Sequence, residues 1–401
     1  MPGIEFNSNP TAIFCVVSLV VTVPRLFQGL TSATGERAQG PPDRKTREEM
    51  SSVVTNVFFT TLLAVLGCSA ALLAALSQEG DGKYAYHTSV IPFTSEIMKL
   101  VLSLVFLQIE TGFSQEAWDG LTFRMIVQYG GLGLLYAIQN NMLFLLLGHV
   151  DPATYQVLSN MRIPFTAFLL YLLTGRSFER REIVSIVILV YGAMLSQVTS
   201  DFHIALSFVG ALFMALNTTL SGLGGVANQI LLKGGTSSIH LQNAVLYFFG
   251  VIFSTLNMAR DISSSDLTWG TLYTGFNAYA VAAVINLAIL GIATSAILKY
   301  CDAMIRSIAN VLSVMLSTVA TSALLGKEIS AYFVLGALIT SIGIYCYQTK
   351  ETEPLIDKLF ATAKSGLSKR YPALALVGLG AVALISFRGV NFDARPQVQQ
   401  V

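Results

Sequence analysis

Ten apolar runs, each about 20 residues long, occupy most of this chain. An α-helix rises 1.5 Å per residue, so about 20 apolar residues are needed to cross roughly 30 Å of hydrocarbon. The sequence lacks the alternating ten-residue segments that are typical of a membrane β-barrel. The pattern predicts an all-α polytopic membrane protein with ten transmembrane helices, at roughly 57–78, 85–109, 124–148, 152–174, 182–199, 203–232, 239–258, 272–298, 302–325 and 331–348.

The composition agrees with a membrane protein. Hydrophobic residues make up 53% of the chain and charged residues only 12%, whereas an ordinary soluble domain has about 25% charged residues. The formal net charge is +1, so the overall charge does not favour a nucleic-acid partner. We therefore expect the lipid bilayer as the main partner of the chain, and no nucleic acid.

The spacing of cysteine and histidine favours neither a metal site nor a disulfide framework. The four cysteines lie in or beside apolar runs without a CxxC pair, and the four histidines are scattered singly. Protein zinc sites need such ligands at short, regular spacing. The sequence also lacks a Ser/His/Asp set or paired carboxylates at the spacing that hydrolysis requires. We expect no metal, no cofactor and no enzymatic activity.

Two shorter apolar runs, at 11–24 and 372–387, flank the ten predicted helices. The first has Glu5 and no lysine or arginine before it, which is unusual for a signal peptide. It is either an uncleaved anchor or a removed or peripheral segment, and the second is either an extra span or an interfacial segment. Residues 30–52 are rich in Gly, Pro and charge, which predicts a flexible cytosolic arm. We assign 1–55 to this arm and 351–401 to a cytosolic tail.

Lysine and arginine are unevenly shared between the loops on the two sides of the predicted helices. Counted from a cytosolic residue 50, the loops on the opposite side carry only Lys83, Arg260 and Lys327. Cytosolic loops of membrane proteins carry an excess of these residues. The bias predicts that both ends of the ten-helix core are cytosolic. The cytosolic loops would then carry Arg124, Arg176, Arg180, Arg181, Lys233, Lys299, Arg306, Lys350, Lys358 and Lys364.

The two halves of the chain match each other at an offset of 151 residues. Because the repeating unit holds five helices, an odd number, the second copy would enter the membrane inverted. We therefore predict two inverted repeats, at 56–200 and 201–350, with a binding site at their interface. Chance similarity between helical hairpins is the alternative. The matched pairs are Asp151 with Asp302, Gly175 with Gly326, Arg176 with Lys327, and Gly192 with Gly343.

Polar and cationic side chains are concentrated in the third and fourth predicted helices. Such groups cost several kcal/mol in hydrocarbon unless they face a partner or a wet cavity. Tyr155 and Arg162 are seven residues apart, so in one helix they would share a face and could hold a base and a phosphate. Interhelical hydrogen bonding and snorkelling of Arg162 are the alternatives. The candidate ligand-binding residues here are Tyr136, Gln139, Asn140, Asn141, Tyr155, Gln156 and Arg162.

Further candidates lie in the second helix and in the second half of the chain. Glu96 and Lys99 are three residues apart and can pair, either as a structural salt bridge or with Lys99 also contacting an anion. Serine and threonine in helices often bond back to the preceding turn, and cations at helix ends are often ordinary cytosolic residues. With these alternatives open, the additional candidates are Asn286, Lys299, Arg306, Ser317 and Thr318.

Three long segments carry a resemblance to a known family: YAIQNN, DPATYQVLSNMRIPFTAFLLYLLTGR and LKYCDAMIRSIANVLSVMLSTVA. They resemble the nucleotide-sugar transporters of the CMP-sialic acid and UDP-galactose type, within the drug/metabolite transporter superfamily. The resemblance covers about residues 55–350. It implies ten helices in two inverted repeats and residence in the Golgi membrane. It also implies exchange of a cytosolic nucleotide sugar for a luminal nucleoside monophosphate without ATP.

The resemblance assigns binding roles to particular residues of the first half. The family's QNN motif matches 139–141, and its YQ pair matches 155–156. The lysine of its YQLKIP motif is replaced by Arg162, which keeps the charge and adds a bidentate fork for phosphate. Its helix-two glutamate and lysine match Glu96 and Lys99.

The second half carries both matches and a departure. The family's KY-D turn matches Lys299, Tyr300 and Asp302, its downstream lysine is Arg306 here, and its LST motif matches 316–318. Where many members read GVYFEK, this chain reads GVANQI at 225–230, which puts base and sugar selectivity in doubt. The segment SIHLQNAVLYFFG from 238 looks more like plant-type members.

The resemblance thus implies a pyrimidine nucleotide-sugar transporter of the Golgi membrane that works by alternating access. A UDP-sugar such as UDP-galactose is favoured over CMP-sialic acid, and a homodimer is a further expectation. One alternative is an antiporter of another anionic metabolite such as a sugar phosphate. A second is a non-transporting scaffold for Golgi glycosyltransferases. The sequence leaves the sugar, the base and the oligomeric state undecided.

Overall fold

The structure, a computed structural model, describes residues 44–78, 83–112, 120–198, 206–261, 272–325 and 329–349, with the single positions 118, 352 and 354. The apolar runs predicted at 11–24 and 372–387 lie outside these residues. The described part is all-helical, and extended pairing there is limited to an isolated bridge between Val150 and Leu206. The helices are α1 Arg44–Leu76, α2 Val90–Thr111, α3 Phe123–Leu147, α4 Pro152–Ser159, α5 Arg162–Thr174, α6 Arg180–Leu195, α7 Phe208–Gly234, α8 Ile239–Asp261, α9 Ala278–Tyr300, α10 Ala303–Leu325 and α11 Ala331–Gln348.

Within its described residues, each of the ten predicted spans is largely helical, and most helix boundaries lie within a few residues of the predicted ones. In the part of the chain that the structure describes, eight segments are long and apolar enough to cross a membrane, counting α4 and α5 as one segment. Helix α6, at the position of the fifth predicted span, has 16 residues. These lengths and compositions identify a multi-pass membrane protein.

The first helix begins earlier than the sequence predicts. Residues 44–52, which we expected to belong to a flexible arm, form the start of α1. This segment reads RKTREEMSS, and arginine, lysine, glutamate and methionine are strong helix formers. The charged segment therefore continues the apolar helix upstream instead of ending it.

The fourth predicted span, 152–174, is interrupted between α4 and α5. Pro164 has no N–H to donate to the Asn160 carbonyl, and that carbonyl instead accepts from Ile163 at 3.0 Å. The Asn160 side chain donates to the carbonyls of Gln156 at 3.3 Å and Val157 at 3.1 Å. The chain thus passes through a tighter turn at 160–161, and Arg162 stands at the first residue of α5 rather than deep inside a continuous helix.

The described residues fall into two compact units. Unit 1 lies within Met1–Gln139 and Leu223–Ile329, and unit 2 within Asn140–Gly222 and Ser330–Val401. Two of the three boundaries fall inside α3 and α7, and the third lies just before α11. Each unit therefore takes helices from both halves of the sequence. The two compact units therefore differ from the two predicted sequence repeats, which are divided at residue 200.

Unit 1 is built on α1, which packs against α9 and α10, and on α2, which packs against α8 and α9. Close approach is possible where residues are small: a Cβ on Gly67 of α1 would lie 2.3 Å from Ser313 Oγ of α10. A buried apolar cluster joins α2, α3 and α8, formed by Leu107, Met125, Tyr129, Leu132, Leu241, Leu246 and Tyr247.

Unit 2 is held together chiefly by α6 and α11. A Cβ on Gly192 of α6 would lie 2.5 Å from the Thr340 backbone nitrogen, and a Cβ on Gly343 of α11 would lie 2.7 Å from that of Leu189. Such close backbone packing is the usual role of small residues between membrane helices. The two contacts are equivalent under the offset of 151, which relates 192 to 343 and 189 to 340.

Candidate functional site

Glu96 and Lys99 form a partly buried ion pair on α2, with Lys99 Nζ 2.7 Å from Glu96 Oε1. The Lys99 ammonium also lies 5.5 Å from the centre of the Tyr247 ring of α8, within the range of a cation–π contact. Glycines admit the pair: a Cβ on Gly250 would lie 2.4 Å from Glu96 Oε2, and one on Gly291 would lie 2.7 Å from Lys99 Cε. The charge of Lys99 is thus balanced within unit 1.

The Tyr136 phenol of α3 contacts the middle of α7. Its hydroxyl donates to the Gly224 carbonyl at 3.1 Å, and Asn228 Nδ2 lies 3.5 Å from the same oxygen. A Cβ on Gly224 would lie 2.7 Å from the Tyr136 ring, so glycine is required for this approach. Tyr136 is therefore held on α7 by a glycine and an asparagine.

The Arg306 guanidinium of α10 lies against the next residue of α7. Its Nη1 would be 3.1 Å from a Cβ on Gly225. Arg306 is half-buried, and no described residue forms an ion pair or hydrogen bond with its side chain. A cation within a membrane-spanning helix is costly unless it meets an anion or water. The contact of Arg306 with an anionic ligand remains a prediction.

The turn between α9 and α10 is braced by side chains of α7. Ala303 N donates to Gln229 Oε1 at 2.6 Å, and Lys233 donates to the Cys301 carbonyl. Asp302 caps α10 by accepting from Ile305 N at 2.8 Å. Burial, aided by the neighbouring Asp302, raises the pKa of the Cys301 thiol to about 11. The structure therefore gives Gln229 and Asp302 a part in holding this turn.

Lys299 and Tyr300 stand at the C-terminal end of α9, beside that turn. Lys299 is half-buried. Tyr300 is 61% exposed, and its ring stacks on Phe59 of α1 with the ring centres 6.1 Å apart. Lys299 precedes Arg306 by seven residues, on the other side of the turn between α9 and α10, and its contact with a ligand remains a prediction.

Three candidates of the second half bond to the protein itself in this conformation. Asn286 Nδ2 donates to the Leu66 carbonyl at 2.8 Å, which joins α9 to α1. Ser317 and Thr318 donate to the Val314 carbonyl at 2.8 and 3.0 Å. These bonds fit the structural alternative, and the binding roles of the three residues remain predictions.

Unit 2 contains the amide and cationic candidates of the first half from position 140 onward. Asn140 and Gln156 are exposed, whereas Tyr155 is half-buried against Leu146, Val150 and Met214. Asp151 caps α4 by accepting from Thr154 N at 3.0 Å, as Asp302 does for α10. Asn141 and Arg162 are also half-buried, and Gln139, half-buried as well, ends the first segment of unit 1.

The expectation that Tyr155 and Arg162 share a face assumed one unbroken helix. The turn at 160–161 separates them, so their seven-residue spacing does not by itself place them on one face. The cause is Pro164, which has no N–H to donate. The apolar pattern of 152–174 does not reveal this loss of a hydrogen bond.

Sequence reasoning missed Tyr247, because a tyrosine in the apolar segment LYFFG has no polar neighbours to mark it. One signal was available, since position 247 is related to Glu96 by the offset of 151. Asn228 lies within 225–230, the segment that differs from the family motif. We predicted a change of selectivity for this segment but no contact of Asn228 itself.

Comparison with known proteins gives a consistent result. The family described as "Nucleotide-sugar transporter" matches residues 52–348. The "CMP-sialic acid transporter 1" of Oryza sativa subsp. japonica is 31% identical over 296 residues, which cover 71% of this chain and 92% of that protein. The protein of the same name from Arabidopsis thaliana is 28% identical and covers 72% of this chain and 88% of its own length.

More distant similarities point the same way. The "Probable UDP-sugar transporter protein SLC35A4" of Xenopus tropicalis is 24% identical and covers 75% of this chain and 94% of its own length. A solved crystal structure of a protein matches with a TM-score of 0.56 at 12% identity, over 73% of this chain and 97% of that chain. At that identity the match shows a shared fold alone. The family match and the relatives are all transporters rather than enzymes, and the chain belongs to the nucleotide-sugar transporter family.

Proposed function

We propose that this protein exchanges a pyrimidine nucleotide sugar for a nucleoside monophosphate across the Golgi membrane by alternating access. A UDP-sugar such as UDP-galactose is the favoured cargo and CMP-sialic acid the alternative. The names of the relatives include both CMP-sialic acid and UDP-sugar transporters, so the proposal takes the pyrimidine nucleotide sugar as its class.

The observation that carries the proposal is the Arg306 guanidinium beside Gly225. Lys99 has Glu96 as its counter-charge at 2.7 Å, whereas no described residue pairs with Arg306. A guanidinium is a strong and geometrically specific ligand for phosphate oxygens. An unbalanced guanidinium in a spanning helix therefore favours an anionic cargo with a phosphate.

The inverted repeat is part of the proposal, and reciprocal contacts support it. On α2 and α8, Glu96 meets Gly250 while Lys99 meets Tyr247, and the offset of 151 relates 96 to 247 and 99 to 250. The contacts between α6 and α11 obey the same rule. Contact pairs that exchange partners under one offset are what a two-fold axis between repeats produces.

In the proposed cycle, Arg306, Arg162 and Lys299 neutralise the phosphates, with Lys99 available if its pair with Glu96 opens. The amides and the aromatic residue of the first half, at 139–141 and 155–156, recognise the base and ribose. An empty, positively charged site reorients poorly, so a departing ligand must be replaced by another anion. Charge balance thus gives exchange rather than one-way transport.

Counter-flow into proteoliposomes tests this function. Vesicles containing the purified full-length protein are preloaded with UMP, CMP or GMP, and uptake of labelled UDP-galactose, CMP-sialic acid and a GDP-sugar is measured. We expect UMP or CMP inside to accelerate uptake of the nucleotide sugar with the same base, and GMP to have no effect. Empty liposomes are the control.

The remaining outcomes separate the alternatives. Acceleration by internal sugar phosphate but by none of the three nucleotides would identify an antiporter of another anionic metabolite. Absence of uptake under every condition, with folded protein in the vesicles, would favour a scaffold role. The proposed homodimer is tested separately by the mass of the detergent-solubilised protein in light scattering.

A further inference from the structure

One face of α7 brings together two glycines and an asparagine, Gly224, Gly225 and Asn228. Residues three and four apart lie on the same side of a helix. Gly224 and Asn228 both meet the Tyr136 hydroxyl, and Gly225 meets the Arg306 guanidinium. An amide, a phenol and a cation therefore lie within about one turn of each other along α7.

The Asn228 amide is only half used by the protein. Its side chain is buried, with 3% exposure, and Oδ1 accepts no hydrogen bond from any described residue. Because Tyr136 gives its hydroxyl proton to Gly224, the phenol oxygen can only accept, and this sets Nδ2 rather than Oδ1 towards it. Buried acceptors without a partner are rare in folded proteins and call for an explanation.

Other buried amides of unit 1 follow two patterns: Asn243 Oδ1, like Asn228 Oδ1, has no partner among the described residues, whereas Gln242 is paired at both ends. Gln242 is 1% exposed; its Oε1 accepts from Tyr129 at 2.8 Å and its Nε2 donates to the Ser237 carbonyl at 2.9 Å. The fold thus pairs both ends of Gln242. Asn228 is distinguished by its neighbours, because its Nδ2 lies 3.5 Å from the Tyr136 hydroxyl and Gly225, three residues earlier, meets the Arg306 guanidinium.

We propose that Asn228 is a specificity-determining residue whose Oδ1 accepts a hydrogen bond from an N–H group of the cargo's pyrimidine base. This inference rests on the proposed function, since it assigns one part of the same cargo. Uracil offers N3–H and cytosine its N4 amino group, and either would satisfy the acceptor. The half-buried Tyr136 ring beside it offers a stacking surface that suits a base rather than a ribose.

The GVANQI segment places Asn228 where the resembling family often carries an aromatic residue. An asparagine whose Oδ1 has no described partner, in a segment that departs from the family motif, is expected when a polar edge of the ligand is read.

The test measures ligand binding and stability in the same variants. Asn228→Leu keeps the size and removes the amide, and Gln242→Leu is the matched control with a fully paired amide. The Kd for UMP and CMP, and for ribose 5-phosphate as a probe without a base, are obtained from the concentration dependence of Tm of the full-length protein.

We expect Asn228→Leu to weaken UMP or CMP binding about tenfold or more, the usual effect of losing one such bond. Ribose 5-phosphate binding should be unchanged, and Tm without ligand should not fall, because the variant removes an unpaired buried oxygen together with only one long hydrogen bond, 3.5 Å to the Tyr136 hydroxyl. Gln242→Leu should lower Tm while leaving nucleotide Kd unchanged.

Two results would overturn the inference while leaving the proposed function standing. One is wild-type affinity of Asn228→Leu for UMP and CMP. The other is an equal loss of UMP and ribose 5-phosphate binding, which would assign the residue to the ribose or to the fold. Failure of the wild-type protein to bind any nucleoside monophosphate would overturn the proposed function, and this inference with it.

Discussion

At the scale of single residues, cations in membrane helices differ in how their charge is balanced. The sequence predicts the Glu96 and Lys99 pair, because both residues lie on one helix three positions apart. It cannot predict that Arg306 lies against Gly225 without a counter-charge among the described residues, because that contact joins α10 to α7. Local spacing reveals partners on one helix, whereas partners on different helices depend on packing.

Arg306→Ala should reduce exchange of the cargo identified by counter-flow by about 10- to 100-fold, the usual effect of losing a charge-assisted hydrogen bond. Arg306→Lys should retain part of the activity, because lysine keeps the charge but loses the bidentate fork. Initial rates of uptake into proteoliposomes measure both effects. Tm should not fall in either variant, since Arg306 holds no described partner.

Arg180→Ala is the matched control for this prediction. Arg180 is an exposed arginine at the start of α6, so its removal should leave uptake unchanged. Uptake by Arg306→Ala at the wild-type rate would remove Arg306 from the anion site and with it the main support for a phosphate-bearing cargo.

At the scale of helices, the sequence predicted well which segments are helical and how long they are. Each spanning helix must supply about 20 apolar residues to cross the membrane, and such runs are easy to recognise. The span 152–174 is confirmed as one apolar segment, and two local features were not predicted. Helix α1 extends to Arg44 because its charged start is made of helix formers, and 152–174 is interrupted because Pro164 removes one donor. Hydropathy is insensitive to both effects, since it records apolar content and not hydrogen bonding.

Gly192→Leu and Gly343→Leu should destabilise the protein to a similar degree, by about 1–3 kcal/mol or more as in other overpacked sites. Either side chain would meet backbone atoms of the opposite helix, which cannot move aside, at 2.5 Å for Gly192 and 2.7 Å for Gly343. Gly131→Leu on α3 is the control, because a Cβ there meets nothing within 4 Å. Thermal unfolding in detergent gives the three Tm values.

Equal Tm values for Gly192→Leu and Gly131→Leu would show that α6 and α11 do not pack as described. A large loss for Gly192→Leu with none for Gly343→Leu would contradict the reciprocity of the two contacts. The comparison therefore tests the packing of unit 2 and the equivalence of the two halves together.

At the scale of the whole molecule, the two compact units do not coincide with the two predicted repeats. Each pairs a helix of the first half with one of the second: α2 with α8 in unit 1, and α6 with α11 in unit 2. The offset of 151 identifies these pairs as equivalent positions, yet nothing in the sequence says that equivalent helices pack on each other. That arrangement follows from long-range packing, which apolar runs of similar composition cannot specify.

The orientation of the whole molecule gives the last prediction. The uneven distribution of lysine and arginine predicts that the start of α6 is cytosolic and that the segment before α2 lies on the other side. In a Cys15→Ser background, Arg180→Cys should react with a membrane-impermeant maleimide added to sealed microsomes, whose outer face is cytosolic. Lys83→Cys should react only after detergent, and both side chains are exposed, so burial does not distinguish them.

The native cysteines set the background of this measurement. Burial raises the pKa of Cys301 to about 11, so its thiolate, the reactive form, is scarce at pH 7 and increases only as the pH rises towards that value. Labelling at pH 7 should therefore report the introduced cysteine. The Cys15→Ser parent, which lacks an introduced cysteine, should remain unlabelled until the pH is raised. Reaction of Lys83→Cys in sealed microsomes, with Arg180→Cys protected, would invert the assigned orientation and place the cytosolic arginines and lysines on the luminal side.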